Sequence, residues 1–421
     1  MNTSTDAVMS TDGAGQPACR VVVTGIGVVA PNGTGKQAFW RNSLRETSHL
    51  RALDRFPTGN HGCRIAGQVA DFDAGAFIEH GVRRQTDRST HMALASCRMA
   101  TEDAGLDLAR EDPQRIGMFF ANTFGGMEFA EPELYNQHFV GPSRVSAYQS
   151  IAWFFAAAQG QWSIANGLKG FAKSIVADRV GGHQALLFGA LAIRQRRADV
   201  VYAGGFEAPL APYVFRIHES TGLLNTGADR PDTAYRPFDR NRGGIVLGEG
   251  CAILMLEELG RARMRGATIY AELAGGAITH DVGADAGSHR GLARCLRLAL
   301  DAADMTAAEI DCVMPEGLAD NDNDRREAAA IDEVFGRGGP RVAVPKARIG
   351  HTLAAAGAID ATWASLMIRE RTMLPRDNVC DGDTALDFGL DDTPQPGPRA
   401  VLCFGSGHGG INTGLVLRSA A

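Results

Sequence analysis

Short apolar runs alternate with longer amphipathic segments along the chain. The first run, residues 20–30, is rich in β-branched side chains and stops at a Pro-Asn-Gly turn. A continuous run of this kind predicts a strand that is buried on both faces, as in a sheet covered by helices. Similar runs predict strands at 116–120, 174–177, 200–203, 251–256, 269–273, 312–314 and 400–404, and helices at 90–102, 183–194 and 291–302. Strands alternating with helices indicate an α/β architecture with layered sheets.

The same pattern divides the chain into a tail and two related halves. Residues 1–18 are small and polar, without the apolar stretch of a signal peptide, so we expect a disordered tail. Residues 19–262 and 263–421 each open and close with predicted buried strands, and the charged segment 261–266 is the candidate joint. Because no Pro/Ser-rich linker separates them, we expect the halves to pack as one rigid body.

Composition narrows the possible classes of function. With 45% hydrophobic and 21% charged residues, the chain resembles an ordinary folded globular protein. The 42 basic and 48 acidic residues give a net charge of −6, so we expect no nucleic-acid partner, because phosphates would meet no positive excess. No apolar run reaches the roughly 20 residues that span a bilayer, so we expect no membrane segment.

The cysteines and histidines show no metal or disulfide pattern. The eight cysteines lack CxxC spacing and do not cluster, and the eleven histidines lack metal-ligand spacing. We therefore expect reduced thiols, a cytoplasmic protein and no metal. Gly25-Ile-Gly27 lacks the third glycine of a dinucleotide turn, so we expect no cofactor.

Four short segments carry the candidate chemistry. Residues 175–183 (IVADRVGGH) predict a strand, a sharp turn and a helix, which places Arg179 at a buried helix N-terminus. Glu316 follows a predicted buried strand in the second half. Lys346 and His351 lie in the segment KARIGH, and His408 lies in the glycine-rich segment 404–412.

In their order and spacing these segments resemble the β-ketoacyl synthases of the thiolase-like superfamily. Residues 235–239 (YRPFD) and 243–250 (GGIVLGEG) extend the resemblance, which covers residues 20–418. The resemblance implies a thiolase-like α/β fold, in which two related βαβ halves form an α/β/α/β/α arrangement.

The resemblance also implies a chemistry that this chain lacks. The family uses a cysteine thiolate at a helix N-terminus and two histidines that stabilise the enolate formed from malonyl carrier protein. Position by position, the cysteine falls on Arg179, the first histidine on Glu316 and a gating phenylalanine on His408. Only the second histidine, His351, and the supporting Lys346 remain. Because a guanidinium stays protonated, it cannot act as a nucleophile, and we expect no catalytic residue here.

Residues 144–154 (RVSAYQSIAWF), 160–164 and 177–182 resemble the chain-length factors, the β subunits of type II polyketide ketosynthases. This implies a non-catalytic subunit that heterodimerises with a ketosynthase α subunit and shapes the polyketide tunnel during decarboxylative Claisen condensation of malonyl units on acyl carrier protein. Many chain-length factors carry glutamine at the position of Arg179, so no decarboxylation role is carried over. Two alternatives stay open: residual malonyl-carrier-protein decarboxylase activity using His351, and a homodimeric thiolase-fold binding protein.

The resemblance assigns roles to two further groups of residues. Met127, Ala130 and Leu134, spaced i, i+3, i+7, would share one helix face and form the tunnel floor, although an ordinary core stripe explains the same spacing. Pro132 is tolerable in the first helical turn, so we predict that this helix starts near 128–131. The aromatic residues expected at the subunit interface are Tyr148, Trp153, Phe154 and Phe155.

We also predict a buried ion pair between Arg179 and Glu316 that plugs the inactive pocket. Arg179 would lie at the positive end of a helix dipole and lose hydration on burial, so it needs a carboxylate partner. The alternative is that Arg179 points elsewhere and Glu316 is solvated.

Overall fold

The computed structural model describes residues 7–8, 19–282, 288–375, 381–382, 384–389 and 396–420. The strands are β1 Ala7–Val8, β2 Val21–Ala30, β3 Gly33–Thr34, β4 Leu50–Ala52, β5 Ile65–Gly67, β6 Ile116–Ala121, β7 Ala172–Ile175, β8 Val200–Glu207, β9 Gly250–Glu258, β10 Ala271–His280, β11 Cys312–Met314, β12 Arg341–Val342, β13 Ala400–Ser406 and β14 Ile411–Arg418. The helices are α1 Lys36–Ser43, α2 His80–Gln85, α3 Arg88–Ala104, α4 Met127–Tyr135, α5 Gln149–Ala152, α6 Ala157–Asn166, α7 Gly181–Arg194, α8 Pro212–Ser220, α9 Leu259–Met264, α10 His289–Ala302, α11 Asn321–Phe335 and α12 Ala356–Glu370.

Two sets of strands have the same topology. The first set lies in the order β7-β6-β8-β9-β2 and the second in the order β12-β11-β13-β14-β10. In both sets the first two pairings are parallel and the last two are antiparallel. The two related halves predicted from the sequence are therefore confirmed. The sets join through three antiparallel pairs between β2 and β10, next to a bulge in each strand.

Helices cover the strands in layers. α7 and α12 pack against each other and contact strands of both sets, so they form the central layer. α3 covers β2, β8 and β9 on one outer side, whereas α10, with α11 beside it, covers β10 and β14 on the other. In α12, every residue from Ala356 to Ile368 is buried, as a helix between two sheets requires. This arrangement confirms the five-layer thiolase-like fold.

Several element boundaries differ from the prediction. The run 174–177 is not a buried strand, because β7 ends at Ile175 and forms the edge of the sheet with Ala172 and Lys173 exposed. α10 begins two residues earlier than predicted, because the Ser288 hydroxyl accepts the Arg290 N–H and caps the helix. Within the predicted tail, Ala7–Val8 instead pair as a strand with β10, and the tail prediction for residues 1–6 and 9–18 lies outside the described residues.

Within the described ranges, no helix has both the length and the apolar character needed to cross a membrane. The described cysteines are all free thiols, and Cys380 lies outside the described residues. Burial raises the pKa of Cys251 and of Cys295 to about 12, so these thiols stay protonated and serve as core residues.

Candidate functional site

Arg179 lies between β7, the edge strand of the first set, and α7 in the central helix layer. After β7 the chain makes a single 3-10 turn, Asp178–Val180, and then enters α7. Asp178 adopts a left-handed conformation with φ 49°, which is uncommon for a non-glycine residue and makes the turn sharp. Arg179 is 9% exposed, so the predicted position at a buried helix N-terminus is confirmed.

Three oxygen atoms surround the Arg179 guanidinium. Nη1 lies 3.1 Å from Asp178 Oδ2, and Nη2 donates to the Ser406 carbonyl at 3.0 Å. Nε lies 3.6 Å from Glu316 Oε1, which is a charge contact but too long for a hydrogen bond, and Nε has no hydrogen-bond partner among the described residues. Glu316 is fully buried, which excludes the alternative of a solvated carboxylate. The predicted ion pair is therefore present at contact distance, without a hydrogen bond.

The nearest partner of Glu316 is His351, which the sequence prediction did not pair with it. His351 Nε2 lies 2.6 Å from Glu316 Oε1. The Leu353 backbone N–H donates to His351 Nδ1 at 3.1 Å, so Nδ1 must be the unprotonated nitrogen. His351 is therefore a neutral imidazole that donates its Nε2–H to the Glu316 carboxylate, and both of its ring nitrogens are engaged.

Positive groups keep Glu316 ionised despite its burial. Burial alone raises the pKa of this carboxyl, but the hydrogen bond from His351 and the charges of Lys346 and Arg179 outweigh it and hold the pKa below its ordinary value. Burial likewise lowers the pKa of His351, which agrees with its neutral form. Lys346 donates to Asp360 Oδ2 at 2.6 Å and to the Pro315 carbonyl at 2.8 Å. The site is thus a compact and nearly balanced set of buried charges.

His183 belongs to this cluster and was missed by the sequence prediction. It is fully buried one helical turn after Arg179, and within the described part of the chain neither of its ring nitrogens has a hydrogen-bond partner. Burial lowers its pKa to about 4, so it is neutral at pH 7. A Cβ on Gly405 would lie 2.4 Å from Glu316 Oε2 and 3.2 Å from His183 Cε1, so glycine is needed for this close approach. The i, i+4 spacing from Arg179 was the available signal in the sequence.

The position assigned to a gating phenylalanine does not close the pocket. His408 is exposed, and its backbone N–H donates to Asp178 Oδ2 at 2.7 Å. Among the described residues, no group of three or more His, Cys, Asp or Glu side chains is placed to bind a metal ion. With arginine at the head of α7, the cluster offers no group there that can attack an acyl thioester.

The three residues predicted to form a tunnel floor do not share one environment. Met127 and Ala130 are buried with Ala211 and Val214 near α8, whereas Leu134 is 39% exposed. Glu131 Oε2 accepts the Tyr213 N–H at the start of α8, and Leu134 follows three residues later on α4. The prediction that Leu134 faces inward is therefore wrong.

The prediction for Pro132 was also wrong. α4 starts at Met127, so Pro132 lies in its interior, not in its first turn. The helix continues through it and passes into a π-helical segment, Asn136–Val140. A proline removes one backbone donor and crowds the preceding turn, and an irregular segment follows it here.

The four aromatic residues assigned to an interface lie on one stretch of surface. Trp153 and Phe154 are 47% and 58% exposed, whereas Tyr148 and Phe155 are partly buried. Phe155 packs beside Trp153 with a ring-centroid distance of 6.3 Å. Further large exposed apolar side chains occur nearby in sequence, at Tyr135, Phe139, Val140, Ile151, Ile164 and Val176. Exposed apolar side chains concentrated in one part of a chain are typical of an interaction surface.

Two family descriptions match consecutive parts of the chain. Residues 18–262 match the β-ketoacyl synthase N-terminal domain, and residues 270–379 match the β-ketoacyl synthase C-terminal domain. The chain belongs to the β-ketoacyl synthase family. Two family members from Streptomyces halstedii are both similar to it. Polyketide beta-ketoacyl synthase 2 is 42% identical over 407 residues, which cover 96% of this chain and 98% of that protein. Polyketide beta-ketoacyl synthase 1 is 34% identical over 413 residues, covering 94% and 97%.

Other relatives are named as β subunits or chain-length factors. The tetracenomycin polyketide synthase ketoacyl synthase beta subunit of Streptomyces glaucescens is 38% identical over 403 residues, covering 94% of this chain and 98% of that protein. A solved structure of the ishigamide ketosynthase/chain length factor superposes with a TM-score of 0.87 at 28% identity, covering 96% of this chain and all of that one. A structure of a type II polyketide synthase acyl-carrier protein in complex with its ketosynthase, bound to the hexaketide, superposes with a TM-score of 0.86 at 29% identity. The match covers 96% of this chain and all of that one.

A second buried carboxyl beside the site yields a pH-dependent prediction. Glu327 Oε2 accepts the Gly317 N–H at 3.0 Å, and burial, reinforced by the charge of Asp324, raises the pKa of Glu327 to about 8. From the ordinary value of 4.5 up to about 8, the folded chain keeps a proton that the unfolded chain has released. This contribution to stability is therefore complete below pH 4.5 and is lost as the pH rises through 8.

We expect Glu327→Gln to flatten the pH dependence of stability, because the amide cannot titrate. The melting temperature of the variant should fall less than that of the parent as the pH rises between 5 and 8. Glu333→Gln on the same helix is the matched control, because Glu333 is exposed to solvent and its pKa is lowered by Arg297, outside this range. Parallel curves for the parent and Glu327→Gln would contradict the assignment.

Proposed function

We propose that this chain is a non-catalytic chain-length factor. It pairs with a ketosynthase α subunit and helps to determine how many malonyl units are condensed on acyl carrier protein. The observation that carries the proposal is the buried Arg179, hemmed in by Asp178, Ser406 and Glu316, at the position where the resemblance places the family's cysteine nucleophile. A β-ketoacyl synthase without a nucleophile needs a partner that has one.

The geometry of His351 argues against residual decarboxylase activity. An enolate needs a free hydrogen-bond donor, but the Nε2–H of His351 is held by Glu316, and Nδ1 accepts the Leu353 N–H. Glu316 also carries negative charge where an enolate oxygen would develop, and this charge repels it. Condensation therefore takes place in the partner subunit.

The exposed aromatic surface is the proposed contact with the α subunit. Trp153 and Phe154 are large and apolar, and the adjacent strand β7 is an open sheet edge. Edge strands are routinely covered by pairing, and buried aromatic residues dominate interface energetics. We place acyl carrier protein on the assembled complex. We also place the protein in the cytoplasm, a reducing compartment that suits the free thiols of its described cysteines.

The proposed tunnel contribution is the inner face of α4. Met127 and Ala130 lie on it, whereas Leu134 is exposed on the same helix. Methionine adapts its shape and alanine is small, so this face leaves room for a long product.

Phe154→Asp is expected to abolish assembly with the α subunit. A carboxylate in place of an exposed ring costs the free chain little, but it buries an unpaired charge in the interface. Co-expression with a tagged α subunit and affinity purification measures the effect. Met264→Asp is the matched control, because Met264 is 85% exposed on α9, away from this surface. Co-purification of Phe154→Asp at the level of Met264→Asp would contradict the proposed interface.

A further inference from the structure

Helix α4 has no cap of its own. Its N-cap position is Gly126, which has no side chain to accept the first backbone N–H groups of the helix. The acceptor comes from another element, because Asp87 Oδ2 accepts the Phe129 N–H at 2.8 Å. Asp87 is itself the N-cap of α3, where its Oδ1 accepts the Ser89 N–H at 2.7 Å. One carboxylate therefore caps two helices.

This shared cap ties α4 to α3, a largely buried helix of the first half. α3 covers β2 and β9, and most of its residues are buried. Asp87 is only 2% exposed. The Ser89 hydroxyl donates to the Gly125 carbonyl at 3.4 Å, a second link from the first turn of α3 to the turn before α4. The negative charge lies at the positive ends of both helix dipoles, which favours this arrangement.

The opposite side of the α4 start is closed as well. A Cβ on Gly126 would lie 1.9 Å from the Ala152 carbonyl oxygen and 2.7 Å from Asp87 Cβ. The Gly126 N–H donates to the Trp153 carbonyl at 3.4 Å. The start of α4 is therefore held between Asp87 and the segment that carries the exposed aromatic residues, and it has little freedom to slide.

We infer that Asp87 is a positioning residue for product length, because the shared cap fixes the depth of the α4 face that carries Met127 and Ala130. The inference rests on the proposed function, since it requires that face to form the tunnel floor. A purely structural cap would affect only how much active complex is present. A positioning cap would also change which product that complex makes.

In Asp87→Asn, one side chain can no longer cap both α3 and α4. Asparagine is as good an N-cap as aspartate, but its amide offers one acceptor oxygen to two N–H groups, so one helix faces an NH2 group. Asp87→Ser is the second variant, because a serine hydroxyl caps α3 and is too short to reach Phe129. We expect both variants, assembled with the α subunit, to reduce the ratio of the normal product to other lengths about fivefold, the change that follows from losing one cap.

Asp320→Asn is the matched control. Asp320 caps α11 by accepting the Asp322 and Asn323 N–H groups and does not contact α4. The complex that contains Asp320→Asn should therefore have the same product ratio as the parent complex. The inference is overturned if both Asp87 variants keep the parent product ratio while Ala130→Trp still alters product length. This holds whether or not total turnover is reduced. Unchanged lengths in the Ala130 variant as well would show that the proposed tunnel function itself has failed.

Discussion

Replacing Ala130 with tryptophan is expected to shorten the polyketide made by the assembled complex. Ala130 is 1% exposed and packs with Met127 and Val214 between α4 and α8. An indole cannot fit there without displacing its neighbours, and overpacking of this kind costs about 1–3 kcal/mol. If the inner face of α4 forms the tunnel floor, as proposed, the displaced indole occupies the volume of the last extension units. Mass spectrometry of the products from the reconstituted complex should show a main product shorter by at least one malonyl unit.

Leu134→Trp is the matched control for this prediction. Leu134 lies on the same helix but is exposed, so an indole there leaves the inner face unchanged. We expect the normal product from Leu134→Trp. The opposite pattern, with an altered length in Leu134→Trp and the normal length in Ala130→Trp, would move the floor to the outer end of α4 and contradict the inner-face assignment.

Removing the carboxylate of Glu316 is expected to cause the largest loss of stability. In Glu316→Ala, the His351 Nε2–H loses its acceptor, and the positive charges of Arg179 and Lys346 lose a buried counter-charge. Breaking a buried pair in this way costs roughly 3–5 kcal/mol. We expect a melting temperature lower by on the order of 10 °C, or no soluble protein.

Glu316→Gln is the informative companion to Glu316→Ala. The amide oxygen can still accept the His351 Nε2–H while the charge is removed, so we expect less than half of the loss. Arg179→Ala should cost less than Glu316→Ala, because the guanidinium touches Glu316 without a hydrogen bond, and Glu316 keeps its hydrogen bond from His351 and the charge of Lys346. A stable Glu316→Ala variant would show that the buried charge cluster does not support the fold.

Much of the fold follows from the sequence because burial leaves a strong local pattern. The run 20–30 predicted a strand buried on both faces, and every residue of β2 is buried. Predictions of burial failed where the exposure of a segment depends on which other elements pack beside it. The run 174–177 looks like a core strand, but β7 is a sheet edge and leaves Val176 57% exposed. No local pattern records which strand is last in a sheet.

The site was predictable in its residues but not in its pairings. The resemblance to the β-ketoacyl synthases placed Arg179, Glu316 and His351 in one pocket, and charge suggested that the first two would pair. In the structure, Glu316 instead accepts a hydrogen bond from His351. The Leu353 N–H donates to His351 Nδ1, which leaves the proton on Nε2, the nitrogen that faces Glu316. Likewise, helical spacing aligned Leu134 with Met127, but the place where α8 begins decides which of them is covered.

Acyl loading of the assembled complex shows which subunit carries the nucleophile. The complex of this chain with its ketosynthase α subunit is supplied with malonyl-carrier protein and stopped during turnover, and both subunits are analysed by intact-protein mass spectrometry. We expect covalent acyl groups on the α subunit alone, and no condensation product when this chain is supplied without it. An acyl group on this chain, or a polyketide made by this chain alone, would show that this chain is catalytic.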